Sequence, residues 1–187
     1  DQVGIRGQVM RPAVFLDRDG VINRPVIREG KPYPPASLEE LEILPGVLDA
    51  LAALNEAGYW LIVVTNQPDV ARGSMPRALV DGINVRLRSE LPLDAVLTCF
   101  HDGVDQCDCR KPKPGLLLTA ARDFGIDLPA SFMVGDRWRD VEAGRRAGCR
   151  TFFIDYGYDE KQPESYDFCV GSLLEAAKII LQKERLK

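Results

Sequence analysis

The chain has 187 residues, of which 45% are apolar and 28% charged, a composition that excludes a disordered or fibrous chain and gives room for one well-packed domain rather than two. A formal net charge of −4 argues against a general electrostatic grip on DNA or RNA. The longest apolar runs, such as Trp60-Leu61-Ile62-Val63-Val64, fall far short of the roughly 18 residues a membrane-spanning helix needs, so neither nucleic acid nor membrane is an expected partner.

In chain order, Asp1 to Met10 carry glycine and mixed polarity without an apolar secretion core, so no signal peptide is expected and the expected location is the cytoplasm. Ala13 to Leu16 is a short apolar run that reads as a buried strand, and it ends in Asp17-Arg18-Asp19-Gly20. Arg24 to Pro45 reads as a long Pro-containing loop, of a length that tends to be functional. Val47, Leu48, Leu51 and Leu54 share one helical face before Gly58 ends the helix. Trp60 to Thr65 reads as the next strand and leads into Asn66-Gln67. Helical spacing follows over Met75 to Leu91, then a strand over Ala95 to Cys99. Gly115 to Phe124 and Arg139 to Ala147 read as helices stopped by Gly125 and Gly148, and between them Ser131 to Val134 reads as a strand entering Gly135-Asp136. Thr151 to Ile154 is a further strand and Cys169-Val170 a candidate sixth. Ser172 with Glu175 forms a capping-box pattern that opens the last helix.

Strands that alternate with helices and are apolar almost throughout imply an α/β fold, a doubly wound and mainly parallel sheet covered on both faces. In such sheets ligand groups gather at the carboxyl ends of the strands. The polar residues at those ends are Asp17, Thr65, Cys99 and Gly135-Asp136. Asp17 and Asp19, with Gly20 allowing a sharp departure of the chain, make a compact anionic site suited to Mg²⁺, which prefers a few carboxylates plus water and phosphate. The plainer alternative is a pair of aspartates capping a turn. Asp136 and Asp140 repeat the arrangement on a second strand, four residues apart, with helix-dipole capping as the alternative. Thr65, Asn66 and Gln67 offer a hydroxyl and two amides suited to phosphoryl oxygens. Arg110-Lys111-Pro112-Lys113-Pro114 is a cationic segment just before a helix, whose plainer meaning is a solvated charged loop.

Cysteine adds a second metal site. Cys99, His101, Cys107 and Cys109 form a C-x-H, five-residue gap, C-x-C pattern that contains the chain's sole histidine. Three thiolates and one imidazole suit tetrahedral Zn²⁺ and leave no open position for water, so this site is expected to be structural, stapling a loop that delivers Arg110 and Lys111.

The four polar segments in this order, the D-x-D-G start, the Thr after the second strand, the Lys and the G-D-x-x-x-D, resemble the haloacid dehalogenase (HAD) superfamily of phosphotransferases from Ala13 to about Val170. The resemblance implies a Rossmann-like sheet in a single phosphatase domain over residues 1–187, without a separate cap. It implies that Asp17 is the nucleophile, Asp19 the general acid and base, and Thr65 and Lys111 the holders of the transferring phosphoryl group. Magnesium would be bound by Asp17, the backbone carbonyl of Asp19, and Asp136. With its zinc loop the chain resembles the heptose 1,7-bisphosphate phosphatase and histidinol-phosphate phosphatase branch. The five-residue gap is closer to the histidinol-phosphate enzymes, whereas Thr65-Asn66-Gln67 with Val70-Ala71-Arg72-Gly73, Cys109-Arg110-Lys111-Pro112-Lys113-Pro114-Gly115, and Met133-Val134-Gly135-Asp136 running into Glu142-Ala143-Gly144 look like the heptose branch. That branch implies that Asn66, Gln67, Arg110 and Arg137 contact a phosphorylated sugar, with Arg110 on its second phosphate. The expectation is a monomeric magnesium-dependent phosphatase removing the 7-phosphate of a heptose bisphosphate. Histidinol phosphate, a polynucleotide end and a non-enzymatic zinc module are the alternatives.

Overall fold

The computed structural model describes residues 9–184, so residues 1–8 of the segment read for a secretion core lie outside the described residues. Eight strands, β1 (Ala13–Leu16), β2 (Val26–Arg28), β3 (Lys31–Tyr33), β4 (Trp60–Asn66), β5 (Ala95–Cys99), β6 (Phe132–Gly135), β7 (Arg150–Ile154) and β8 (Phe168–Val170), are combined with five helices. The helices are α1 (Val47–Glu56), α2 (Arg77–Glu90), α3 (Gly115–Phe124), α4 (Trp138–Ala147) and α5 (Leu173–Glu184). Six strands form one sheet in the order β5-β4-β1-β6-β7-β8, every pair parallel.

Side-chain alternation along the central strands sorts the core into two layers. Val14, Leu16, Leu61, Val63, Phe132, Val134, Phe152 and Ile154 point to one face, where α1, α2 and α5 cover them. Ala13, Phe15, Ile62, Val64 and Met133 point to the other, under α3 and α4. Strands covered on both sides must be apolar at every position, which is why these runs do not alternate with polar residues. Each fully buried Leu, Ile or Phe stabilises the fold by about 1.5–3 kcal/mol.

The chain leaves β1 toward β4 and β5, then returns across the sheet to β6 on the other side of β1. The sheet's switch point therefore lies between β1 and β6, where a crevice opens at the carboxyl ends of the strands. Asp17 continues the ladder there, its amide donating to the Val134 carbonyl at 3.0 Å.

Two local features differ from the sequence reading. The stretch Arg24 to Pro45 contains an antiparallel hairpin, β2 with β3, turning through Glu29 (φ 49°) and Gly30 (φ 72°). Two successive positive φ values are the two-residue turn that matches strand twist. At α5, Ser172 accepts from the Glu175 amide at 3.2 Å, but the Glu175 carboxylate returns to the amide of Gly171 at 2.7 Å rather than to that of Ser172, one residue outside the expected box.

Candidate active site

Three carboxylates converge at the switch point. Asp17 follows β1, Asp136 follows β6 and Asp140 sits in the first turn of α4, and one oxygen of each lies within 4.8 Å of the others. All three are buried. Gly20 makes the approach possible: a Cβ there would lie 1.9 Å from Asp136 Oδ2, and its φ of +94° suits a residue without one. Gathering like charges away from water disfavours ionisation. Burial first, then the charge of Asp140, push the Asp17 carboxyl up to about 6. Burial and the charges of Asp17 and Asp140 hold Asp136 well above the usual range.

Among the described residues, Lys111 supplies the cation in contact with the group. Its ammonium, 1% exposed, lies 2.9 Å from Asp17 Oδ1 and 2.7 Å from Asp140 Oδ1, and donates to the Val64 carbonyl at 2.7 Å, so all three protons are used. Against three carboxylates it leaves a net deficit of two positive charges when all are ionised. Asp136 Oδ1 is buried without a partner. A divalent cation meets both conditions, and the oxygen-only donor set is that of Mg²⁺.

Asp19 stands apart from this group. Its carboxylate accepts from Gln67 Nε2 at 2.8 Å, Asn23 Nδ2 at 3.0 Å and Arg18, whose Nη2 lies 3.1 Å away. The Gln67 amide also donates to Thr65 Oγ1 at 2.9 Å, joining two strand-end residues in one network. Asn66 brackets Lys111 instead: its Nδ2 donates to the Lys111 carbonyl and its Oδ1 accepts the Lys111 amide, both at 3.1 Å.

Above these groups is a cavity of about 360 Å³ with Asp17, Asp19 and Lys111 at its base and Lys31, Arg72, Arg110, Arg137 and Arg139 among its lining. Arg137 pairs with Glu160, and Arg72 grips Asp102 through two contacts at 2.8 and 2.7 Å. Arg139 faces like charge. Burial first, then the charges of Arg137 and Arg110, lower its pKa.

The zinc-type cluster is equally compact. Cys109 Sγ lies 3.0 Å from Cys99 Sγ, 3.5 Å from Cys107 Sγ and 3.2 Å from His101 Nδ1, and Cys99 Sγ is 3.7 Å from Cys107 Sγ. Tetrahedral Zn²⁺ with sulfur at about 2.3 Å sets ligand-to-ligand edges of about 3.8 Å, so a small expansion accepts the ion. All five cysteines are free thiols. The loop bears on the cavity through Arg110, whose Nη1 donates to the His101 carbonyl at 3.3 Å, and Lys113 Nζ donates to the Cys107 carbonyl at 2.8 Å.

The structure thus gathers Asp17 and Asp136 with Asp140, puts Lys111 in contact with Asp17 and Asp140, sets Asp19, Thr65 and Gln67 in a second network, and lines the cavity with Arg110 and Arg137. Sequence reasoning passed over Arg18, Arg139, Tyr156, Tyr158 and the hairpin lysine Lys31. Arg18 alone had a signal: it lies inside the D-R-D-G segment and is fully buried, with its Nη1 on Asn84 Oδ1 at 3.1 Å. Tyr156 and Tyr158 reach the site from a connection without periodicity, Lys31 from a strand of three residues, and Arg139 from the first turn of α4.

A family model described as HAD-hydrolase-like matches residues 108–176. The D-glycero-beta-D-manno-heptose-1,7-bisphosphate 7-phosphatase of Escherichia coli K12 is 34% identical over 189 residues, covering 93% of this chain and 96% of the relative. The protein of the same description from Photorhabdus laumondii is 38% identical over 152 residues, covering 75% and 78%. Among solved structures, the D,D-heptose 1,7-bisphosphate phosphatase from B. bronchiseptica, complexed with magnesium and phosphate, superposes with a TM-score of 0.79 at 32% identity over 92% of this chain and 99% of that one. The chain belongs to the HAD-like phosphatases, in the family of these heptose-bisphosphate enzymes. Among the described residues no helix is long and apolar enough to cross a membrane.

Proposed function

We propose that this chain is a magnesium-dependent phosphatase that removes the 7-phosphate of D-glycero-β-D-manno-heptose 1,7-bisphosphate through an aspartyl phosphate on Asp17. The observation that carries the proposal is an acidic, cation-deficient base beneath a rim of gathered arginines. One phosphate reacts at the base while a second is held by the rim. The rim also speaks against histidinol phosphate, whose ammonium group would meet Arg110, Arg137 and Arg139, while the nearby carboxylates of Asp69, Asp102 and Glu160 are already paired with arginine.

In this reading Asp17 attacks phosphorus, the bond to the sugar oxygen breaks, and Asp19 gives that oxygen its proton. Asp19 then takes a proton from water, the resulting hydroxide attacks the phosphoryl group, and Asp17 is released with inorganic phosphate. Lys111 holds Asp17 for attack and would exchange one of its present contacts to hold, with Thr65, the phosphoryl oxygens. Asp17, Asp136 and the Asp19 carbonyl would hold Mg²⁺, which when bound offsets the charge of carboxylate and phosphate brought together. Gln67 sets Asp19, while Arg110 and Arg137 receive the second phosphate, joined by Arg139. Asn66 fixes the Lys111 backbone and lines the same cavity. Cys99, His101, Cys107 and Cys109 hold structural Zn²⁺. The chain is proposed to act as one domain over residues 1–187, as a cytoplasmic monomer without nucleic-acid or membrane partners.

Phosphate release from heptose 1,7-bisphosphate, histidinol phosphate and a phosphorylated oligonucleotide, each at saturating Mg²⁺, tests the substrate. The bisphosphate should be turned over at least tenfold faster than either alternative, since charge-assisted contacts to a second phosphate contribute about 1.5–3 kcal/mol. Faster turnover of histidinol phosphate would overturn the assignment.

A further inference from the structure

The connection after β7, residues 155–160, takes no part in the chemistry above, yet four of its groups support the site. The Tyr156 hydroxyl donates to the Gly20 carbonyl at 2.8 Å, the Tyr158 hydroxyl donates to Asp136 Oδ2 at 2.7 Å, the Asp159 amide donates to the Gly30 carbonyl at 3.0 Å, and Glu160 pairs with Arg137. One strap thus ties together the turn after Asp19, the Asp136 carboxylate, the hairpin tip and the cavity rim. The two tyrosine rings pack against each other, 5.6 Å apart at their centroids, and Tyr158 is buried.

The two oxygens of Asp136 are treated differently. Oδ2 receives the phenol and lies against Gly20, where even a methyl group has no space. Oδ1 is buried and has no partner. A carboxylate held by one oxygen presents the other in a fixed direction. Groups that orient a metal-binding side chain in this way commonly contribute about 10–100-fold to metal affinity.

We propose that Tyr158 is a positioning residue: its hydroxyl fixes Asp136 Oδ2 and so presents Oδ1 to the divalent cation. The inference rests on the reading of Asp136 as a ligand of that cation. Tyr158 touches neither the substrate nor the reacting atoms, so its effect is on cation affinity and not on the phosphoryl-transfer step once the cation is bound.

Mn²⁺, used as a paramagnetic stand-in for Mg²⁺, can be titrated into magnesium-depleted, zinc-replete protein while the free ion is followed by electron paramagnetic resonance. Four proteins are compared: wild type, Tyr158→Phe, Tyr166→Phe and Asp136→Asn. Tyr166, between this strap and β8 and 47% exposed, serves as a control for losing one hydroxyl. Tyr158→Phe should weaken Mn²⁺ binding about tenfold or more, raise the Mg²⁺ concentration for half-maximal turnover by the same factor, and leave KM for the sugar phosphate unchanged at saturating Mg²⁺. Tyr166→Phe should bind as wild type and Asp136→Asn should lose the site. Wild-type affinity in Tyr158→Phe, together with loss in Asp136→Asn, overturns the role of Tyr158 alone. Wild-type affinity in Asp136→Asn overturns the ligand reading and the inference with it. A Tyr158→Phe protein that melts far lower but binds Mn²⁺ normally when folded assigns the residue a packing role only, which also overturns the proposal.

Discussion

Lys111 shows how finely the site is balanced at the level of single residues. Burial opposes its charge, but Asp140 and Asp17 more than offset that cost and hold its pKa above the ordinary lysine value. Removing one partner of a buried ion pair is far more costly than the pair is worth, because the other partner is left without compensation. Lys111→Met keeps the length of the side chain and deletes the charge. It should lower the unfolding free energy by about 3–5 kcal/mol at pH 7 in chelator, measured by urea denaturation. The loss should shrink toward pH 5, where the carboxylates can neutralise themselves by taking up protons; an equal loss at both pH values would contradict this account of the cluster. The convergence of Asp17 and Asp136 was legible from the sequence because two apolar strands each end in an aspartate close to a glycine turn, Gly20 in one case and Gly135 in the other. Tyr158 was not, because its contact with Asp136 spans 22 residues and depends on how a connection without periodicity folds back.

At the level of elements, the zinc-type loop connects stability to the cavity. Its ligands sit between the end of β5 and the start of the cationic segment, and the Arg72–Asp102 pair ties it to the turn after β4. Cys107→Ala should lose bound zinc, measured by elemental analysis, and lower the melting temperature by several degrees. Stoichiometric zinc in that variant would refute the ligand set. The six strands of the main sheet and all five helices were readable to within two residues or so, since two-sided burial and helical periodicity are written into the apolar pattern. The hairpin was not. Its strands are three residues long, too short to show alternation, and its turn uses Glu29 where Asn or Asp usually supplies the first left-handed residue.

For the whole molecule, the crowded carboxylates make metal, pH and stability one linked system. Asp17 is raised from 3.8 to about 6 by burial and then by Asp140. A carboxyl whose folded pKa lies above its unfolded value binds more protons folded than unfolded between the two, so stability falls as pH rises through that window. Metal-free protein should therefore melt higher at pH 5 than at pH 7, and Mg²⁺ should raise the melting temperature at pH 7 but much less at pH 5, where protons compete for the same oxygens. Asp102 and Glu142, held near 2 by Arg72 and Arg145 respectively, act in the opposite sense but only below about pH 4. Calorimetry in chelator checks this, and a melting temperature that climbs from pH 5 to pH 7 would contradict it. Turnover in this enzyme is predicted to depend on Asp17 working as a metal-assisted nucleophile. The most direct test is phosphate release from heptose 1,7-bisphosphate by wild type and Asp17→Asn, each with Mg²⁺ and with chelator. Release by the wild type with Mg²⁺ alone, one phosphate per sugar, is the predicted result; release by folded Asp17→Asn, or by the wild type in excess chelator, would contradict it.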